Sequence, residues 1–276
     1  MSEGQGGPIK LLRMEESPVL FGKQSRINQL GLMPDTIYWM LVDSDQTPPK
    51  TDGVLSPSEL KKFSAFRFPK RQKEWLLGRW AAKALAHSLP ACRDIPLDRI
   101  EIRSTPQGAP FIHLQGRAAL ADCLTVSHSG RLALCALASA PGLRVGADLE
   151  KIEPRTETFI LDYFTSAECQ LVEAYPAETR AVVVTLIWSA KEAMLKALGV
   201  GLRWDTRTVE VRRLGGLLDA HADRVGWQEL QVGEAASAER VWRAWWQPRE
   251  NYVLTLAAFA PAPAGIQSVH LVEQSL

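Results

Sequence analysis

Apolar positions along the chain fall into short unbroken runs and longer runs at helical spacing, and their order sets the expected architecture. Residues 36–42 form an apolar and aromatic run that reads as a strand. Ser56-Pro57-Ser58-Glu59 is a capping box with proline at the first helical position. It opens a helix carrying Lys61 and Lys62 that should stop at Pro69. From residue 70 to about 88, Trp75, Leu76, Trp80 and Ala84 recur at helical intervals, which predicts a long core helix. Short β-like pieces at 100–103 and 111–114 precede firmer strands at 124–127, 132–138 and 145–149. Thr165-Ser166-Ala167-Glu168 is a second capping box, opening a short helix to about residue 174. A longer helix at 179–198 is closed by Gly199. Strand-like runs at 208–212, 227–232, 241–246 and 252–259 follow, with a Gly- and Ala-rich turn at 233–238.

The two long helices echo each other, Trp80-Ala81-Ala82-Lys83-Ala84 against Trp188-Ser189-Ala190-Lys191-Glu192, which hints at an internal repeat. A linker between repeats would fall at Ser139-Ala140-Pro141-Gly142. At 276 residues, 46% hydrophobic and 23% charged, the chain can bury a large core as one large or two small domains. A net charge of +1 leaves no basic excess for binding nucleic acid broadly. Residues 1–28 lack an apolar run of signal-peptide length and read as part of a mobile tail, so neither export nor a membrane anchor is expected. The cysteines, at 92, 123, 135 and 169, form no Cys-x-x-Cys pair, and a reduced cytoplasm fits best.

Two acidic segments carry the candidate chemistry. In Gly146-Ala147-Asp148-Leu149-Glu150, strand alternation aims Asp148 and Glu150 at one point while Leu149 turns to the core. In Trp188-Ser189-Ala190-Lys191-Glu192-Ala193-Met194-Leu195-Lys196, Glu192 and Lys196 lie one helical turn apart. Taken singly, an Asp-x-Glu at a strand end is usually only solvated, and a Glu followed four residues later by Lys is usually a surface ion pair. Joined to Val126-Ser127-His128-Ser129-Gly130-Arg131, they change meaning.

With these three segments the chain resembles the Sfp-type 4′-phosphopantetheinyl transferases over about residues 36–260. Gly146, Asp148 and Glu150 match a Gly-x-Asp-x-Glu signature, and Trp188, Ser189, Lys191, Glu192, Ala193 and Lys196 match Trp-Ser-x-Lys-Glu-(Ala/Ser)-x-x-Lys. The resemblance implies an α/β (α+β) fold, a pseudo-twofold monomer of two similar halves, each a small antiparallel sheet packed with a long helix. The halves would be residues 36–140, contributing most nucleotide contacts, and 141–276, bearing the metal site, after a tail at 1–35. It implies transfer of 4′-phosphopantetheine from coenzyme A to a serine of an apo acyl or peptidyl carrier protein, releasing adenosine 3′,5′-bisphosphate, by a cytoplasmic enzyme. Asp148, Glu150 and Glu192 would bind Mg²⁺, with Mn²⁺ as a substitute. Glu192 would be the base and Lys196 the cation on the transferring phosphate. Lys61, Lys62, Arg79, Ser127, His128 and Lys191 would contact coenzyme A, and residues around Phe164 and 197–204 would dock the carrier. A Ser-His dyad at 127–128 is disfavoured, because adjacent residues do not reach the mutual geometry it needs. The chain departs from the family's pattern at Ala109, where a basic residue is usual, leaving Arg103 or Arg131 to compensate. It also departs at Thr125 and Ala147, expected to lie outside the chemistry. Two rivals are a carrier- or coenzyme A-binding module without catalysis and a metal-dependent phosphodiesterase.

Overall fold

A computed structural model of the chain describes residues 35–275, apart from residues 48, 115–123, 141, 218–225, 237–239 and 262–268. All of the expected tail except Asp35, and the end of the Gly- and Ala-rich turn, lie outside the described residues. Strand β1 (Thr36–Asp43) is followed by helices α1 (Pro57–Ser64) and α2 (Pro69–Ser88). Then come β2 (Ile100–Ser104), β3 (Pro110–Leu114), β4 (Leu124–Ser129) and β5 (Leu132–Ala138). The order then recurs with one added helix. Strand β6 (Arg144–Lys151) precedes α3 (Glu157–Tyr163), α4 (Ser166–Glu173) and α5 (Arg180–Ala197). Strands β7 (Val209–Leu214), β8 (Gln228–Glu234), β9 (Arg240–Arg249) and β10 (Tyr252–Pro261) complete it.

Pairing repeats as well as order. In the first half β1 lies antiparallel to β5 and β5 to β4; in the second, β6 lies antiparallel to β10 and β10 to β9. The second sheet continues through β8 and β7, whereas β2 and β3 form a separate two-stranded ladder. The fold is therefore α+β, with two similar halves that each set an antiparallel sheet against a long helix. One element crosses the expected boundary. Strand β11 (His270–Glu273) returns to the first sheet and pairs parallel to β1, so residues 141–276 do not form one uninterrupted unit.

All seven residues of β5 are buried, as expected of an unbroken apolar strand covered on both faces. Leu77, Ala81 and Leu85 of α2 share one cluster with β5, β6 and the Leu254, Leu256 and Ala258 positions of β10. Helix α5 covers the opposite face of the second sheet, with Val253 and Ala257 among its neighbours. Its approach to β6 is close enough that a Cβ on Gly146 would lie 1.8 Å from the Ala193 carbonyl oxygen, so only glycine fits there. That contact brings the acidic end of β6 beside the polar face of α5.

Each half is also pinned by a buried ion pair built on its capping box. Glu59 accepts from the backbone N–H of Ser56 and of Ile102, both at 3.0 Å, and pairs with Lys83. Glu168 accepts from the N–H of Thr165 and of Val211, both at 2.8 Å, and pairs with Lys191. Lys191 follows Lys83 by 108 residues and Glu168 follows Glu59 by 109, so the echo between the long helices is structural. The expected stop of α1 at Pro69 is corrected: α1 ends at Ser64, and Pro69 opens α2, where its missing N–H has no cost. Two elements, α3 and β11, were not expected. At seven and four residues they are too short to display a hydrophobic period.

Candidate active site

The seam between the halves gathers most of the expected chemistry. Strand β4 of the first half meets β6 of the second through side chains: Thr125 Oγ1 accepts from the Ala147 N–H at 3.0 Å, and Ser127 Oγ donates to Asp148 Oδ1 at 3.0 Å. Thr125, expected to be a bystander, thus helps hold β6 in place. From α5, Lys196 Nζ donates to Asp148 Oδ1 at 2.6 Å and to Ser127 Oγ at 3.1 Å, and lies 3.6 Å from Glu192 Oε2. Glu150 accepts from Trp188 Nε1 at 3.3 Å and faces Arg155 at 3.4 Å. Phe159 and Tyr163 brace the Trp188 ring edge-on, at 5.0 and 5.1 Å between centroids. The role of Arg155 was not legible, since it stands in an irregular segment five residues beyond Glu150.

Negative charge is in excess here. Burial, then Asp148 and Glu192, push the Glu150 carboxyl up to about 7. Burial and Asp148 raise Glu192 likewise, against the pull of Lys196. Burial works against the Lys196 charge, but Asp148 and Glu192 outweigh it and hold the ammonium above its ordinary range. Asp148 is 2% exposed, and its Oδ2 is buried without a hydrogen-bond partner. An orphaned carboxylate oxygen beside two reluctant carboxylates is a hard-donor set that suits a divalent cation. Among the described residues no three acidic, His or Cys side chains stand at ligand spacing, and Lys196 occupies Asp148 Oδ1.

The six expected coenzyme A contacts divide. Ser127 belongs to the seam. His128, next to it, is exposed, and the surrounding protein lowers its affinity for a proton, with Glu74 opposing and Lys196 reinforcing. Lys61 and Lys62 are exposed on α1, and Lys62 lies 6.0 Å from the Trp75 ring centre. Arg79 lies 4.9 Å from the centre of the same ring, with its Nε buried and unpartnered. Burial lowers the Arg79 pKa, opposed by Glu59. Lys191 requires a correction. It is 0% exposed, and its ammonium is taken by Glu168 and by the Val209 carbonyl at 2.9 Å. Its place is in the core of the second half, where it has no exposed surface to offer a ligand. Neither arginine proposed to compensate for Ala109 is free: Arg103 pairs with Glu101, and Arg131 with Asp43 and Glu250. Phe164 is buried, so only its neighbours can dock a partner.

The profile of the 4′-phosphopantetheinyl transferase superfamily matches residues 144–257, which span Asp148, Glu150, Glu192 and Lys196. The 4′-phosphopantetheinyl transferase HetI of Nostoc sp. is 27% identical over 179 residues, covering 63% of this chain and 73% of that protein. The transferase Sfp of Bacillus subtilis is 28% identical over 173 residues, covering 58% and 73%. The L-aminoadipate-semialdehyde dehydrogenase-phosphopantetheinyl transferase of Xenopus laevis is 29% identical over 191 residues, covering 63% and 61%. Over residues 144–257 the chain is thus similar to the 4′-phosphopantetheinyl transferase superfamily, and the relatives it resembles are named 4′-phosphopantetheinyl transferases.

Proposed function

We propose that this protein transfers 4′-phosphopantetheine from coenzyme A to a serine hydroxyl of an apo acyl or peptidyl carrier protein. The observation that carries this reading is the Ser127–Asp148–Lys196–Glu192 cluster at the seam of the two halves, within the region similar to this superfamily. The carrier's serine oxygen forms a bond to the phosphorus next to pantetheine, and the bond from that phosphorus to the bridging oxygen breaks. Adenosine 3′,5′-bisphosphate leaves. Glu192 receives the serine proton, a role that suits a carboxylate whose proton affinity is raised by burial and by Asp148. Lys196 balances charge on the transferring phosphate and can supply a proton to the leaving one. Ser127 and His128, with Lys61, Lys62 and Arg79 on the first half, bind the nucleotide side.

The donor set fits Mg²⁺, or Mn²⁺ in its place, held by Asp148, Glu150 and Glu192. When bound, such an ion neutralises pyrophosphate charge and orients the group to be transferred. For the carrier, the exposed Leu161, Tyr163, Leu202 and Trp204 offer an apolar surface, and Arg203 lies among them. The Thr206 hydroxyl donates to the Tyr163 carbonyl at 2.7 Å and ties the two segments together. No helix among the described residues is long and apolar enough to cross a membrane. The reading includes action as a monomer in the cytoplasm.

Intact-mass spectrometry of an apo carrier incubated with the protein, coenzyme A and Mg²⁺ tests the reading. A carrier heavier by one phosphopantetheine, lost with Glu192→Ala or on chelation, is the expected result. Phosphopantetheine free in solution would indicate hydrolysis. No gain across fatty-acid, polyketide and peptide carriers would indicate a binding module.

A further inference from the structure

Strands β4 and β5 are joined by Gly130 and Arg131 alone, since Ser129 pairs with Leu132. Gly130 sits at φ +58°, and a Cβ there would lie 2.7 Å from the Tyr252 hydroxyl, so the tip of the first-half hairpin rests on the start of β10. Arg131 then reaches in two directions. Its Nε donates to both carboxylate oxygens of Asp43, at 3.1 and 3.0 Å, at the end of β1. Its Nη2 donates to both oxygens of Glu250, at 3.0 and 2.9 Å, in the β9–β10 turn of the second half. Asp45 lies 3.6 Å away, so one guanidinium holds three carboxylates that would otherwise repel.

The backbone supports the same junction. The Ser44 N–H donates to the Arg131 carbonyl at 2.9 Å, and the Ile152 N–H donates to the Asn251 carbonyl at 2.7 Å. The turn that Arg131 grips is therefore also tied to the chain just beyond Glu150. Glu250 adopts φ +53°, an unfavourable conformation for a residue with a side chain, at the position where its carboxylate meets Arg131. Ser127 and His128 lie four and three residues before Arg131 on one arm of the hairpin, and Ser127 makes the contact to Asp148 and Lys196.

We infer that Arg131 is a positioning residue, a clamp between the halves that sets how deeply the Ser127–His128 strand enters the seam and so tunes binding of the phosphate-bearing substrate. This rests on the transferase reading above, since it takes that substrate to be coenzyme A. Exposed ion pairs contribute little to stability, but a planar guanidinium gripping one carboxylate from each half fixes their relative geometry, and small displacements of a binding group are costly.

Two variants separate the arms. Glu250→Gln severs only the second-half arm at a 56% exposed side chain, and Arg131→Gln severs both. The readouts are steady-state transfer kinetics and deuterium exchange of amides 124–131. The expected result is a KM for coenzyme A raised about fivefold by Glu250→Gln and further by Arg131→Gln, with kcat changed less than roughly twofold. Exchange at 124–131 should quicken in step, and raised salt should move the wild type the same way. A lowered melting temperature with unchanged KM and exchange would reduce Arg131 to a structural ion pair and overturn the inference. A wild type that transfers nothing would instead sink the functional reading. In that case exchange alone decides the clamp: unchanged rates in both variants reject it.

Discussion

The two halves share a chassis and differ in what is mounted on it. In each, a capping-box glutamate bridges a helix start, a buried lysine on the long helix and the backbone of the first strand after that helix. The residue after that lysine is Ala84 in the first half and Glu192 in the second. Five residues after it stand Ser88 and Lys196. The first half thus uses its long helix for packing, and the second uses the corresponding turns for charge. Among the described residues, only the second has carboxylates whose protonation is disturbed by one another. The buried pair is therefore scaffold in both halves, and further charge is carried on one half-buried face of the second helix.

The sharpest way to break that comparison is to remove both buried ammonium groups in turn. Lys83→Met and Lys191→Met each leave a buried carboxylate without its counter-charge, and each should cost about 3–5 kcal/mol in urea unfolding. Per folded molecule, Lys83→Met should keep its turnover. Lys191→Met should lose at least about tenfold, because the helical turn bearing Glu192 is no longer held against β7. Equal losses of turnover, corrected for the folded fraction, would mean that the halves are not scaffold plus armament but one coupled unit.

Much of this was legible because the repeat left marks in the sequence. Both capping boxes and the apolar run of β5 are local patterns, and each sits where it was expected. The spacing of Asp148, Glu192 and Lys196 is local too and brings these side chains together, though among the described residues no three acidic side chains reach ligand spacing. Lys191 was misread because a motif tells which residues recur and not which way they face. Glu192 is its neighbour on the helix, yet about 100° of rotation sends one side chain to the seam and the other to the core. Thr125, Arg155 and the Arg131 junction were not legible, since each depends on a partner 5 to 119 residues away whose approach only the packed halves determine. Strand β11 was lost for the same reason: four residues acquire meaning only beside β1.

A second, smaller effect should separate the halves by pH. An unfolded glutamate titrates near about 4.3, whereas Glu150 in the folded chain is held near 7 by burial, Asp148 and Glu192. Between those values the folded chain binds more protons than the unfolded one. Stability therefore falls as pH rises across the window and stays lower above it. Allowing for partial exposure, unfolding free energy should be lower at pH 8 than at pH 5.5 by about 1–2 kcal/mol. Glu150→Gln should remove much of the difference. Mg²⁺ should restore stability at pH 8 and do little at pH 5.5, because the ligands must be deprotonated to bind it. A pH profile unchanged by Glu150→Gln would place the excess charge elsewhere.

The smallest effect concerns how each helix meets its strand. In the second half the strand supplies the glycine, Gly146, and α5 lies flush on it. In the first half the helix supplies it: a Cβ on Gly78 of α2 would meet Val126 Cγ1 at 3.3 Å and His128 Cδ2 at 3.7 Å. Alanine within a helix gains about 0.5–1 kcal/mol over glycine. A 3.3 Å contact asks Val126 to yield by a few tenths of an ångström, so the gain and the strain should nearly cancel in Gly78→Ala. The displaced atoms flank Ser127, however. The variant should therefore melt within about 2 °C of the wild type while its KM for coenzyme A rises about two- to threefold. A variant that melts higher with KM unchanged would show that β4 yields without moving Ser127. The first half would then touch the chemistry only through Ser127 and His128 themselves, and not through the seating of its long helix.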